Sequence, residues 1–136
     1  MAHAGTFNAN PVTMIAGAAT LEGLTPEVYQ NLAEKTDYLK TEILKVAKEL
    51  EVPIQVTGLG SLFGIHFTSD ELVGYRDIAA EDAAFRHKVF LGLLNEGILM
   101  ASNLVGAVST QIGTAEIDAF VAALQRVLER ALAPSN

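Results

Sequence analysis

Apolar residues at Val28, Leu32, Leu39, Ile43, Val46 and Leu50 recur at steps of three, four or seven. Asn31, Glu34, Lys35, Asp37, Lys40, Glu42, Lys45, Lys48 and Glu49 fill the other faces. A stripe of this kind predicts a long amphipathic surface helix. Thr25-Pro26-Glu27 supplies its start: a cap, a proline suited to the first turn and an acid. Asp37 with Lys40 and Glu42 with Lys45 lie three apart, close enough to pair. After Pro53 the period drops to two. Ile54 and Val56 alternate with Gln55 and Thr57, and Phe63, Ile65 and Phe67 alternate with Leu62, Gly64 and His66. With Gly58-Leu59-Gly60 between them, the two runs predict a hairpin.

The rest of the chain is read the same way. Thr68 to Asp77 is mostly polar and predicts a loop. A helix follows from Ala80 to Glu96, with Ala84, Phe85, Val89, Leu93 and Leu94 inward and Gly97 as its stop. Ile98-Leu99-Met100 and Gly106-Ala107-Val108-Ser109-Thr110 read as short extended runs. Thr114 is placed as the cap of a final helix that buries Ile117, Phe120, Val121, Leu124, Val127, Leu128 and Ala131, and Ala133 to Asn136 is a tail. The order is helix, helix, hairpin, helix, strand, helix. It predicts an α+β fold, a small antiparallel sheet covered by helices.

The first helix differs from the others. Asn10 suits an N-cap, Pro11 the first helical position and Gly23 the stop, yet no charge appears between them until Glu22. Helices apolar on every face are buried, and a domain this small can hardly enclose one. The expected division is therefore residues 1–24, a motif loop and a helix that packs on something outside the chain, and residues 25–136, the domain proper.

Composition narrows the function. The chain has 136 residues, half of them hydrophobic, enough for one domain with a core. A net charge of −7 and a pI near 4.8 lack the basic footprint of a nucleic-acid binder and argue against adsorption to an anionic membrane. Without cysteine there is no disulfide, thiolate metal site or thiol nucleophile. The N-terminus reads as no signal peptide, and no apolar run reaches the roughly 20 residues of a membrane span. The expectation is a cytoplasmic protein.

Few residues offer chemistry. The three histidines, His3, His66 and His87, are too few and too scattered for a transition-metal site; His87 reads as solvated and His66 as structural. Glu81-Asp82 and Asp70-Glu71 are adjacent acids, which do not face each other on a helix, and both read as solvated. Ser61 lacks the G-x-S-x-G spacing of a nucleophile elbow, and no helix follows it. Lys35, Lys40, Lys45, Lys48 and Lys88 all fall on amphipathic helices as surface charge. Gly5-Thr6-Phe7-Asn8-Ala9-Asn10-Pro11 is different: small residues, a hydroxyl and a following helix N-terminus suit a phosphate, as they also suit an ordinary capped loop.

That stretch, from His3 to Pro11 with Met14-Ile15-Ala16-Gly17 after it, resembles a hallmark of the class III aminotransferases, which use pyridoxal phosphate. Gly60 to Phe67 resembles their small-domain hairpin, Leu94 to Ser102 the segment leading to their last strand, and Thr114 to Leu128 their closing helix. Within the family the nearest likeness is to the glutamate-1-semialdehyde 2,1-aminomutase branch. Ser102-Asn103-Leu104-Val105-Gly106 departs from that branch, where an acid usually stands near Leu104 or Val105.

The resemblance implies the C-terminal small domain of a fold type I pyridoxal-phosphate enzyme. Gly5 and Thr6 would be cofactor-binding, Thr6 reaching the phosphate held by a neighbouring subunit, with no catalytic and no metal-ligating residue in the chain. The family's Schiff-base lysine, the acid on the pyridine nitrogen and the ring-stacking aromatic lie upstream of the matched motif. The expectation is thus a domain that is not catalytic alone, binds no pyridoxal phosphate by itself and works with a lysine-bearing partner chain or as a homo-oligomer. The alternatives are a non-enzymatic oligomerisation or protein-interaction domain, and a small-molecule binder using Gly5 and Thr6 for phosphate.

Overall fold

Leu32, Thr36, Leu39, Ile43, Val46 and Ala47 form the buried stripe of helix α2 (Pro26–Glu49) in the computed structural model, which describes residue 5 and residues 8–133. The two expected charge pairs form on its outer faces, Lys40 to Asp37 at 3.7 Å and Lys45 to Glu42 at 2.6 Å. The hairpin is also present, as β1 (Ile54–Thr57) and β2 (Leu62–Phe67). Strand β3 (Val105–Ala107) lies on the other side of β2, completing a three-stranded antiparallel sheet in the order β1-β2-β3.

Register and pleat sort the side chains by face. Ile54 pairs with Phe67, Val56 with Ile65 and Phe63 with Gly106, and these positions face the helices. Gln55 pairs with His66, Thr57 with Gly64 and Leu62 with Ala107 on the opposite face. The core lies between the first set and three helices: α2, α3 (Ala83–Asn95) and α4 (Thr114–Leu132). Ile43, Ile65, Val89, Leu93, Leu104, Leu124 and Leu128 are fully enclosed there. Phe63 meets Phe120 of α4 edge-on at 6.2 Å. This is the α+β arrangement that the pattern of periods implied.

Four local expectations give way to tertiary contacts. The helix expected from Ala80 is broken: a single 3-10 turn covers Asp77–Ala80, and α3 begins at Ala83 because the Asp82 carboxylate accepts the Phe85 N–H at 2.9 Å. Ala84 and Leu94 are exposed rather than inward, since α3 turns only Val89 and Leu93 fully onto the sheet and α4. Ile98 to Met100 pairs with no strand, and the run expected over Gly106 to Thr110 is the strand at Val105–Ala107. Gly113, not Thr114, occupies the cap of α4, where the Glu116 carboxylate accepts the Gly113 N–H at 2.8 Å.

Glu96 ties the end of α3 to α4. Its carboxylate accepts from Arg126 at 2.6 and 3.0 Å and from Arg130 at 2.6 Å. Those bonds, Arg126 first and Arg130 second, hold its pKa below the ordinary glutamate value, with desolvation opposing. A depressed folded-state pKa means that the stabilisation is complete above the unfolded value and lost as pH falls through the folded one. In thermal unfolding scans at low salt, the advantage of the natural chain over Glu96→Gln is expected to hold above the ordinary glutamate range and to be lost progressively as pH falls below it. An advantage that persists into strong acid would contradict this. No helix among the described residues is long and apolar enough to cross a membrane.

Candidate functional site

The loop before α1 (Pro11–Gly23) is built around two asparagines. The Gly5 carbonyl accepts the Asn8 N–H at 3.1 Å, and Ala9 turns the chain through a positive φ of 60°. The Asn10 side chain then accepts from Val12 N at 3.0 Å and from Thr13 N at 3.4 Å. The predicted cap is therefore in place, and it occupies two of the amides that a phosphate at this helix end would use. Of the two residues that the resemblance assigns to the cofactor, Gly5 is exposed; Thr6 lies outside the described residues, as do His3 and the tail from Pro134.

No residue of α1 is buried. Val12, Met14, Ile15 and Leu21 are 62 to 76% exposed. This is unusual for a helix without charge before its last turn, and it leaves a long apolar surface beside the Gly5 loop.

The lysines stand elsewhere. Lys35 donates to the Thr110 carbonyl at 3.3 Å, Lys40 to the Gly58 carbonyl at 3.1 Å and Lys88 to the Ala131 carbonyl at 2.7 Å, while Lys45 pairs with Glu42. None of the five is buried, whereas a Schiff-base lysine works from a desolvated or cation-lined setting. Of what pyridoxal phosphate, implied by the resemblance, would need, the described residues offer Gly5 and the start of α1, where Asn10 already holds the Val12 and Thr13 amides, and no buried lysine. No step through the cofactor follows from these residues.

The structure does assemble one polar cluster that local reading missed. Glu81, expected to be solvated, has a side chain only 1% exposed. One of its oxygens accepts the Phe67 N–H at 2.9 Å and the other accepts from Arg86 at 2.8 Å. His66, on the outer face of the sheet, lies with Nε2 2.9 Å from the Thr57 hydroxyl and Nδ1 3.8 Å from Glu81, with no other partner for Nδ1. The cluster clasps the outer face of the hairpin to the start of α3. It fits the structural role expected of His66 and corrects the reading of Glu81; what marks Glu81 is its pairing with Phe67, far away in sequence. His87 is exposed, stacking loosely on Phe90 with ring centres 6.0 Å apart.

Comparison with known proteins gives a consistent pattern. The Aminotransferase class-III family model matches residues 1–128. Beta-phenylalanine transaminase of Variovorax paradoxus is 38% identical over 125 residues, covering 91% of this chain and 29% of that protein. Glutamate-1-semialdehyde 2,1-aminomutase of Methanococcus maripaludis is 36% identical over 98 residues, covering 72% of this chain and 23% of that protein. Among solved structures, an omega-transaminase from Sphaerobacter thermophilus superposes with a TM-score of 0.89 at 40% identity, covering 98% of this chain and 31% of that one. The chain thus spans under a third of the length of each of these relatives.

Proposed function

This chain belongs to the class III aminotransferase family, and on that premise we propose that it serves as the C-terminal small domain of a pyridoxal-phosphate-dependent aminotransferase, completing an active site whose lysine it does not carry. One observation carries the reading: α1 presents apolar side chains on all faces, buries none of them, and follows directly on the Gly5 loop. A helix of this kind is stable in water only against a partner surface. The partner that suits it is the lysine-bearing part of the enzyme, in the same longer chain or in a second one. Docking there would bring Gly5 and Thr6 to the cofactor's phosphate. Assembly as a homo-oligomer is compatible with this and belongs to the same proposal.

The substrate reading favours a transaminase acting on a β-amino acid such as β-phenylalanine over the aminomutase. At comparable coverage the beta-phenylalanine transaminase is the more similar, 38% identical over 91% of the chain against 33% over 93% for an aminomutase, and Ser102 to Gly106 lacks the acid of the aminomutase branch. The aminomutase remains the second reading, supported by its 36% identity over 98 residues.

Reduction with borohydride in the presence of pyridoxal phosphate tests the dependence on another part. Mass spectrometry of the reduced, digested chain is expected to find no single lysine among Lys35, Lys40, Lys45, Lys48 and Lys88 stoichiometrically modified. Saturable fixation at one of them would mean that the chain forms its own site.

A further inference from the structure

His66 Nδ1 is buried without a hydrogen-bond partner, alone in this among the side-chain nitrogens and oxygens of the described residues. The ring is fixed on its other side. It lies along β2 over the bare backbone of Gly64, where a β-carbon would come within 3.1 Å of Nε2, and so reaches the Thr57 hydroxyl at 2.9 Å. Nδ1 then stands 3.8 Å from Glu81 Oε2, too far for a hydrogen bond. Glu81 is itself anchored, by the Phe67 N–H and by Arg86. These are the charged groups at the ring: Glu81 from the turn before α3, and Arg86 from α3 behind it. On the same face β1 presents Gln55 and Thr57, and β3 adds Val105 and Ala107, all uncharged. Asp70 comes next along this face, its carbonyl accepting from Gln55.

A neutral imidazole carries one N–H and a charged one carries two. Only the charged ring can donate to Thr57 from Nε2 and to Glu81 from Nδ1 together, and the second bond joins opposite charges. From this geometry we propose that the clasp is proton-gated. When His66 takes up a proton, its ring moves onto Glu81, closes the gap and tightens the hold of the hairpin on the start of α3. The segment 68–82 runs between those two anchors and carries Val73 and Tyr75, which are 84 and 88% exposed. Both its ends meet the clasp, so the charged ring holds it more firmly than the neutral one. The device is separate from the Gly5 loop and does not depend on the aminotransferase reading.

The test is NMR of the full ¹⁵N-labelled chain as pH is lowered. Ring nitrogen shifts report the charge of His66, with the exposed His87 as reference, and exchange protection of the Phe67 amide reports the clasp, since that amide bonds Glu81. Protection, corrected for the intrinsic pH dependence of exchange, is expected to rise about fivefold as His66 becomes charged, which is what one added hydrogen bond supplies. In Glu81→Gln the ratio of charged to neutral His66 at any one pH is expected to fall about tenfold, with His87 unchanged. In His66→Gln the rise in Phe67 protection is expected to disappear. Circular dichroism checks that both variants fold, and the titration of the natural chain decides the matter without them. A His66 that stays neutral until the chain unfolds, Phe67 protection indifferent to its charge, or a ratio unmoved by Glu81→Gln would overturn the proposal.

Discussion

Replacing Glu81 by alanine is expected to destabilise the fold by about 3–5 kcal/mol, the usual cost of breaking a buried ion pair from one side. The substitution strips three groups at once. The Phe67 N–H loses its acceptor inside the sheet, Arg86 loses its counter-charge, and His66 Nδ1 is left facing an empty space. A buried donor without an acceptor costs about 1–3 kcal/mol by itself, so the larger figure does not depend on the ion pair alone. Glu81→Gln keeps a carbonyl for Phe67 and the shape of the side chain, and its cost should be clearly smaller. Urea denaturation of the two variants measures the difference; equal losses, or a loss below about 1 kcal/mol for alanine, would show that the clasp contributes little.

The second large effect lies at the hairpin turn. Gly58 has a φ of 132°, and a Cβ there would stand 2.0 Å from the Leu62 carbonyl oxygen. Backbone strain and overlap act together, so Gly58→Ala is expected to cost about 3 kcal/mol or more and to shift the pairing of Thr57 with Gly64. Gly60 is the internal control: it has a φ of 60° but open space around a Cβ, so Gly60→Ala should cost only the conformational strain, about 1–2 kcal/mol. Similar losses at the two glycines would mean that the close approach of Leu62 is not what fixes the turn.

Where a helix or strand repeats its period over several turns, the residues alone revealed it. The stripe from Val28 to Leu50, the stripe from Ile117 to Ala131 and the alternation around Phe63 to Phe67 each became the expected element, because burial on one face leaves a regular mark. Places where a distant partner decides were opaque. Glu81 looked like helix surface because its partner Phe67 lies fourteen residues away, and nothing local marks a carboxylate for burial. Ile98 to Met100 is a short apolar run that reads as extended, but an extended chain does not name a neighbour to bond with. The Asn10 cap was legible from its type and the proline after it. That the cap bonds Val12 and Thr13, and so restricts what the helix end can hold, needed coordinates. Gly5 and Thr6 were singled out by resemblance to a family; local chemistry left them ambiguous with any capped loop.

The most direct measurement of the central claim is a graft. Residues of this chain would replace the matching segment of the beta-phenylalanine transaminase from Variovorax paradoxus, whose likeness covers 91% of the chain, and amino-group transfer from β-phenylalanine to a 2-oxo acid would be followed. A chain that is the small domain of such an enzyme, docking through α1, should give a chimera that folds and transfers the amino group, and Ile15→Glu in α1 should abolish assembly and activity together. A chimera that folds and binds pyridoxal phosphate yet transfers nothing, or one indifferent to Ile15→Glu, would contradict the account.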